Sequence, residues 1–157
     1  MTAELLLRWL HVTGGMVLFG TGIGIAFFML LAHRSGRPAV IAHTAHVVVI
    51  ADMIFTATAA IFQPVTGVLL AQQTGWPLTE PWILVSVALY VFVGLFWLPV
   101  VWIQIRLRNL ARQSENDCEP LSQDYFRLFH LWFLCGIPAF SAMLAIIWLM
   151  LARPALW

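Results

Sequence analysis

Lysine is missing altogether, so every fixed positive charge in this 157-residue chain is an arginine. Charge of either sign is scarce, at 10% of residues, and the formal net charge is +1. That leaves no basic face to neutralise phosphates, which excludes a nucleic-acid partner. There are two cysteines, Cys118 in a charged loop and Cys135 in an apolar run. Neither sits in a C-x-x-C or C-x-x-C-H pattern, which argues against covalent haem attachment, a thiolate zinc site and a disulfide. The opening Met1-Thr2-Ala3-Glu4 lacks the positive region of a signal peptide, and the apolar run after it is too long for one. The first helix is therefore expected to stay in the mature protein.

What is present is overwhelmingly apolar. Hydrophobic residues make up 62% of the chain, and mean hydropathy is +0.91. A soluble domain of this length cannot hide that much apolar surface, so the bilayer must be the solvent for most of it. Eight tryptophans and eleven phenylalanines fit interfacial belts and aromatic packing. The hydropathy predicts four spans, over 5–31, 44–71, 81–107 and 126–151, each long enough to cross a hydrocarbon core of about 30 Å. The expected fold is an all-α, four-helix integral membrane bundle forming a single transmembrane domain over 1–157, with no internal repeat.

Orientation follows from the arginines. Arg34 and Arg37 lie in the first loop, and Arg106, Arg108, Arg112 and Arg127 flank the third. The second loop, Gln73 to Pro81, has none, and each terminal region has one, Arg8 and Arg153. Excess positive charge stays cytoplasmic, so both termini are expected outside a bacterial inner membrane. The stretch from Arg112 to Asp124, with four acids and a proline, is expected to be soluble.

Ionisable groups inside such spans are costly and default to function. His11 lies in the first span, with Gly15, Leu18 and Gly22 on the same helical face at i+4, i+7 and i+11. A groove without side chains lets something flat approach the backbone, so His11 is a candidate ligand or proton-transfer group. The alternative is a packing histidine hydrogen-bonded to Gln63 or Tyr90. On the second span Asp52, Thr56, Gln63 and Thr66 fall within about 40° of one line at a uniform 100° per residue. Ser86, Tyr90, Trp97 and Gln104 make a looser stripe on the third, and His130, Leu134, Ile137 and Ser141 align on the fourth. These stripes are expected to face a common interior.

Depth divides that interior. His11, Gln63, Ser86 and Tyr90 fall toward the outer half, and His43, His46, Asp52, Gln104 and His130 toward the cytoplasmic half. Asp52 is expected to be a proton relay with His46 and His130, or to pair with Arg106 or a histidine. His43, His46 and His130 are the only grouping that could suggest a metal. Gly20-x-x-x-Gly24, opposite His11, reads as a helix–helix or subunit contact, either in a homo-oligomer or in a larger membrane complex. Pro64, Pro99 and Pro138 are expected to kink their helices and free carbonyls.

These residues resemble a family of small bacterial four-helix integral membrane proteins of unknown function. The likeness rests on Leu7-Arg8-Trp9-Leu10-His11-Val12, Leu18-Phe19-Gly20-Thr21-Gly22, Gln63-Pro64-Val65-Thr66-Gly67, Trp97-Leu98-Pro99-Val100-Val101-Trp102 and Tyr125-Phe126-Arg127-Leu128-Phe129. More distantly the chain is similar to the HemJ-type protoporphyrinogen oxidases and their CopD-like relatives. That resemblance implies haem b with His11 as its axial iron ligand. Where those proteins have a lysine early in the third helix, this chain has Ser86. The expectation is therefore a five-coordinate haem in a membrane redox protein. Gly15 and Gly22 would give the ring room, Gln63, Ser86 and Tyr90 would line its site, and Arg8 would pair with a propionate. Two other roles remain open, an accessory subunit without a cofactor and a proton- or metal-coupled transporter using Asp52, His46 and His130.

Overall fold

A computed structural model describes residues 2–156. Four helical spans succeed one another. The first is α1 (Ala3–Arg34). The second, Pro38–Thr74, consists of α2 (Pro38–Ala51), a π-helical turn (Asp52–Thr56) and α3 (Ala57–Thr74). The third and fourth are α4 (Pro81–Asn116) and α5 (Gln123–Ala152). No strand occurs among the described residues, and all four spans are long and apolar enough to cross a membrane.

Local chemistry sets the ends. Thr2 caps α1 by accepting from the Leu5 N–H, and Ser122 caps α5 by accepting from the Tyr125 N–H. Pro38 and Pro81 open α2 and α4, where a missing N–H costs nothing. Gly75 ends α3 at φ +76°, a left-handed conformation that glycine adopts without strain. Helix α4 runs past the third span expected from hydropathy and into the polar stretch after Arg112, ending at Asn116. Leu107, Ala111 and Ser114 continue its buried stripe, and the Ser114 hydroxyl donates to the Pro120 carbonyl at 3.3 Å. Their packing keeps the extra turns helical.

The main core lies at the arginine-rich end. There Ile25 and Met29 of α1, Ile41 and Ala45 of α2, Ile103 and Leu107 of α4, and Tyr125 and Phe129 of α5 pack together. A smaller cluster of Ala71, Trp82, Ile83 and Leu149 closes the other end. Between them, α3 packs along α1 and α4 packs along α5, while α1 barely touches α5. The two pairs are thus joined at both ends and separated in the middle. That separation makes the cavity.

The π-helical turn decides which side chains enter it. Its closing bond runs from the Ala57 N–H to the Asp52 carbonyl, five residues back. One extra residue offsets the following helix by about 100° relative to uniform α geometry. Asp52 and Thr56 line the cavity, whereas Gln63 and Thr66 turn to α1. The single polar stripe expected on the second span is in fact two.

Candidate functional site

The first polar cluster joins α1 to α3. His11 Nδ1 lies 3.0 Å from Thr66 Oγ1. The Thr66 hydroxyl also contacts the Phe62 carbonyl at 2.8 Å, four residues back on its own helix. A hydroxyl has one hydrogen, so which of Thr66 and His11 Nδ1 donates to the other follows the imidazole tautomer. The imidazole also lies over Gly67, where an added Cβ would come within 3.0 Å of His11 Cε1. In return the Gln63 amide lies over Gly14 and Gly15, at 3.0 Å from the Cβ each would carry. Oriented to satisfy both sides, that amide donates to the His11 carbonyl at 2.9 Å and accepts from the Gly15 N–H at 3.1 Å. Each helix thus lays a polar side chain across bare backbone of the other.

The second cluster ends the cavity. Its volume is about 810 Å³, and its walls come from α1, α4 and α5. Phe19 and Phe140 stack across it at 5.3 Å, bridging α1 to α5. Gly22, Gly94 and Gly136 all line it, and a Cβ on any of them would meet nothing within 4 Å. The walls are mostly apolar, with Tyr90 and Ser141 among them, and the polar residues gather around Asp52, which is 3% exposed. Trp97 Nε1 donates to its carboxyl at 3.5 Å, and Thr56 and Gln104 stand beside it.

Three more polar atoms there are buried without a partner: Thr56 Oγ1, Gln104 Oε1 and Trp132 Nε1. Buried polar atoms are nearly always paired, and each orphan costs about 1–3 kcal/mol. Among the described residues the ion pairs are Arg8–Glu4 and Arg127–Asp124, so Asp52 has no cationic partner. A charge in hydrocarbon without a counter-charge costs on the order of 3 kcal/mol on insertion scales.

The structure divides the residues singled out from the sequence. Leu18, Gly22, Tyr90, Asp52, Trp97 and Gln104 line the cavity. His11, Gly15 and Gln63 belong to the α1–α3 contact instead. Ser86 is buried and donates to the Trp82 carbonyl of its own helix. Arg8 is engaged with Glu4 one turn back, at 2.5 Å. His46 is half-buried with Nδ1 unpartnered, while His43 and His130 are exposed.

Of the stripe expected on the fourth span, Ile137 and Ser141 line the cavity, whereas His130 and Leu134 lie on the outside. The core face is Tyr125, Phe129 and Trp132, because bulky aromatics fill the interior and the histidine is left on the outside. Asp52 does not reach Arg106, whose guanidinium lies 5.8 Å over the Trp102 ring. Among the described residues no three His, Cys, Asp or Glu side chains assemble as a metal site. Gly20 has no neighbour within Cβ reach, and Gly24 has only Phe28 of its own helix.

The placement also tests a haem on His11, and the residues do not fit one. The cavity with room for a flat macrocycle has no histidine among its lining side chains. The imidazole meant to ligate the iron is instead packed on Gly67 and bonded to Thr66.

Sequence reasoning passed over Gly94, Gly136, Trp132 and Cys135, which all line the cavity. For Gly94 the signal was there, since it sits on the Tyr90–Trp97–Gln104 stripe. The others lie on α5 beside Ile137 and Ser141, off the line of the expected stripe.

Residues 5–154 match the model of a family described as "Predicted integral membrane protein (DUF2269)". No curated protein and no solved structure matches the chain. The chain belongs to that family of integral membrane proteins.

Proposed function

We propose that this family member holds an amphiphilic molecule of the lipid phase in the cavity between its two helix pairs. The apolar body would lie along Gly22, Gly94 and Gly136, and the polar end would meet Asp52, Thr56, Gln104 and Trp132. One observation carries this reading: a 1%-exposed glutamine with an unpartnered carbonyl stands beside a buried carboxyl that has no cationic partner among the described residues, at the end of an apolar cavity. A fold that only packed would replace such groups with apolar ones, because unpaired polar groups destabilise it. Ligand sites have the opposite look, mostly apolar walls with a few convergent polar atoms. In the orientation that the arginines favour, the polar end lies on the cytoplasmic side of the midplane.

Cys135 gives a direct test, because it lines the cavity while Cys118 is exposed in a loop. Cys118→Ser protein in nanodiscs would be treated with N-phenylmaleimide, with and without added dodecanol or dodecylamine. Occupancy should slow alkylation of Cys135, and Gly94→Leu, which fills the cavity from α4, should remove the protection. Unchanged alkylation with either amphiphile would defeat the reading, as would equal protection in Gly94→Leu.

A further inference from the structure

The unpartnered groups at the end of the cavity are not evenly divided between donors and acceptors. Gln104 Oε1 accepts only, Thr56 Oγ1 can accept, and the Asp52 carboxylate offers two acceptor oxygens. Against these stands one unpartnered donor, Trp132 Nε1, since Trp97 Nε1, the Thr56 hydroxyl hydrogen and the Gln104 amide N–H already face Asp52. Charge is unbalanced in the same direction, because no cationic side chain pairs with Asp52 among the described residues. The walls above are rich in aromatic rings, including Phe19, Tyr90, Phe96, Phe133 and Phe140.

We infer that the cavity is a site for a lipophilic amine bound in its protonated form. Its N–H groups would lie on Asp52, Gln104 and Thr56, and its hydrocarbon body in the aromatic walls. The inference rests on the proposed amphiphile-binding role and adds the chemical class of the ligand. A protonated amine is all donor at its polar end, matching three acceptor-bearing side chains. It also brings the positive charge the site lacks, so acid and ligand need not be buried singly. A fatty alcohol would satisfy some of the hydrogen bonds and leave the charge unbalanced. A quaternary ammonium would balance the charge and leave the acceptors unmet.

The test compares three probes with one chain length, dodecylamine, dodecanol and dodecyltrimethylammonium, at neutral pH in zwitterionic nanodiscs. Protection of Cys135 in Cys118→Ser protein is the readout. Dodecylamine should reach half-protection at a concentration about tenfold below the other two. Asp52→Asn keeps the shape of the side chain and should erase that advantage. Gln104→Leu, which removes an acceptor at similar size, should weaken the amine about threefold to tenfold and leave the alcohol unchanged.

An alcohol as potent as the amine would overturn the inference while the cavity remained a binding site. An equally potent trimethylammonium would overturn the hydrogen-bonding argument. An amine advantage that survived Asp52→Asn would show partition into the bilayer rather than binding at this site. If no probe protected Cys135, the broader binding role would fall as well.

Discussion

The Tyr90 hydroxyl donates to the Ala60 carbonyl across the bundle at 2.6 Å, and Ala60 stands four residues before Pro64. Proline has no N–H, so within α3 that carbonyl has lost its helical partner. A tyrosine on α4 supplies the missing donor, which ties the two helix pairs together beside the cavity. Tyr90→Phe should therefore destabilise the protein by about 1 kcal/mol, the usual scale for one such bond. In a Pro64→Ala background the helix can close its own bond, and the same substitution should cost little. Thermal unfolding of the four proteins in detergent checks this; equal penalties in both backgrounds would refute the pairing.

Gly67 and Gly22 should respond differently to alanine. At Gly67 the new methyl would sit 3.0 Å from His11 Cε1, with the imidazole held by Thr66. Overpacking of this kind costs about 1–3 kcal/mol. At Gly22 the methyl meets nothing within 4 Å, so stability should be unchanged. Melting temperatures of Gly67→Ala and Gly22→Ala, measured side by side, decide the matter.

Gln104→Leu should leave the protein as stable as before or more so. The side chain is 1% exposed and its Oε1 has no partner, so an apolar group of similar size removes an unmet acceptor. A marked loss of stability would mean that Gln104 serves the fold rather than a ligand.

The purified protein should show no Soret band that depends on His11. Spectra of the oxidised and dithionite-reduced protein, with His11→Ala alongside and haem supplied during expression, are the measurement. A band present in the wild type and lost in the variant would place a haem on His11 and displace the present reading of the site.

Long-period features of this chain were plain in its residues. The four spans follow from hydropathy alone, and the freed carbonyl follows from Pro64 because proline's missing N–H is a local fact. The sequence pointed first to a ligand or proton-transfer role for His11, with a packing bond to Gln63 or Tyr90 as the alternative; its imidazole meets Thr66, and the Gln63 amide meets the His11 carbonyl. What failed on the second span was the assumption of a constant rotation per residue, which held for Tyr90, Trp97 and Gln104 on α4. The π-helical turn at Asp52–Thr56 breaks that constancy, and no residue pattern announces it. On α5 the expected stripe reaches the cavity at Ile137 and Ser141 but fails nearer the start of the helix, for another reason. Polarity pointed inward at His130, but Tyr125, Phe129 and Trp132 have more apolar surface to bury and take the interior. Unpartnered atoms such as Gln104 Oε1 belong to three-dimensional arrangement and are invisible in a string of letters.

Gly22, Gly94 and Gly136 have a consequence for how such a protein can diversify. Each comes from a different helix, and each borders open space. A methyl or larger group at any one of them would shrink the chamber from its own wall, without touching the main core or the Asp52 end. Size and head-group chemistry are therefore set by separate residues. Single substitutions could retune which molecule fits, one wall at a time, while the same anchor stays in place.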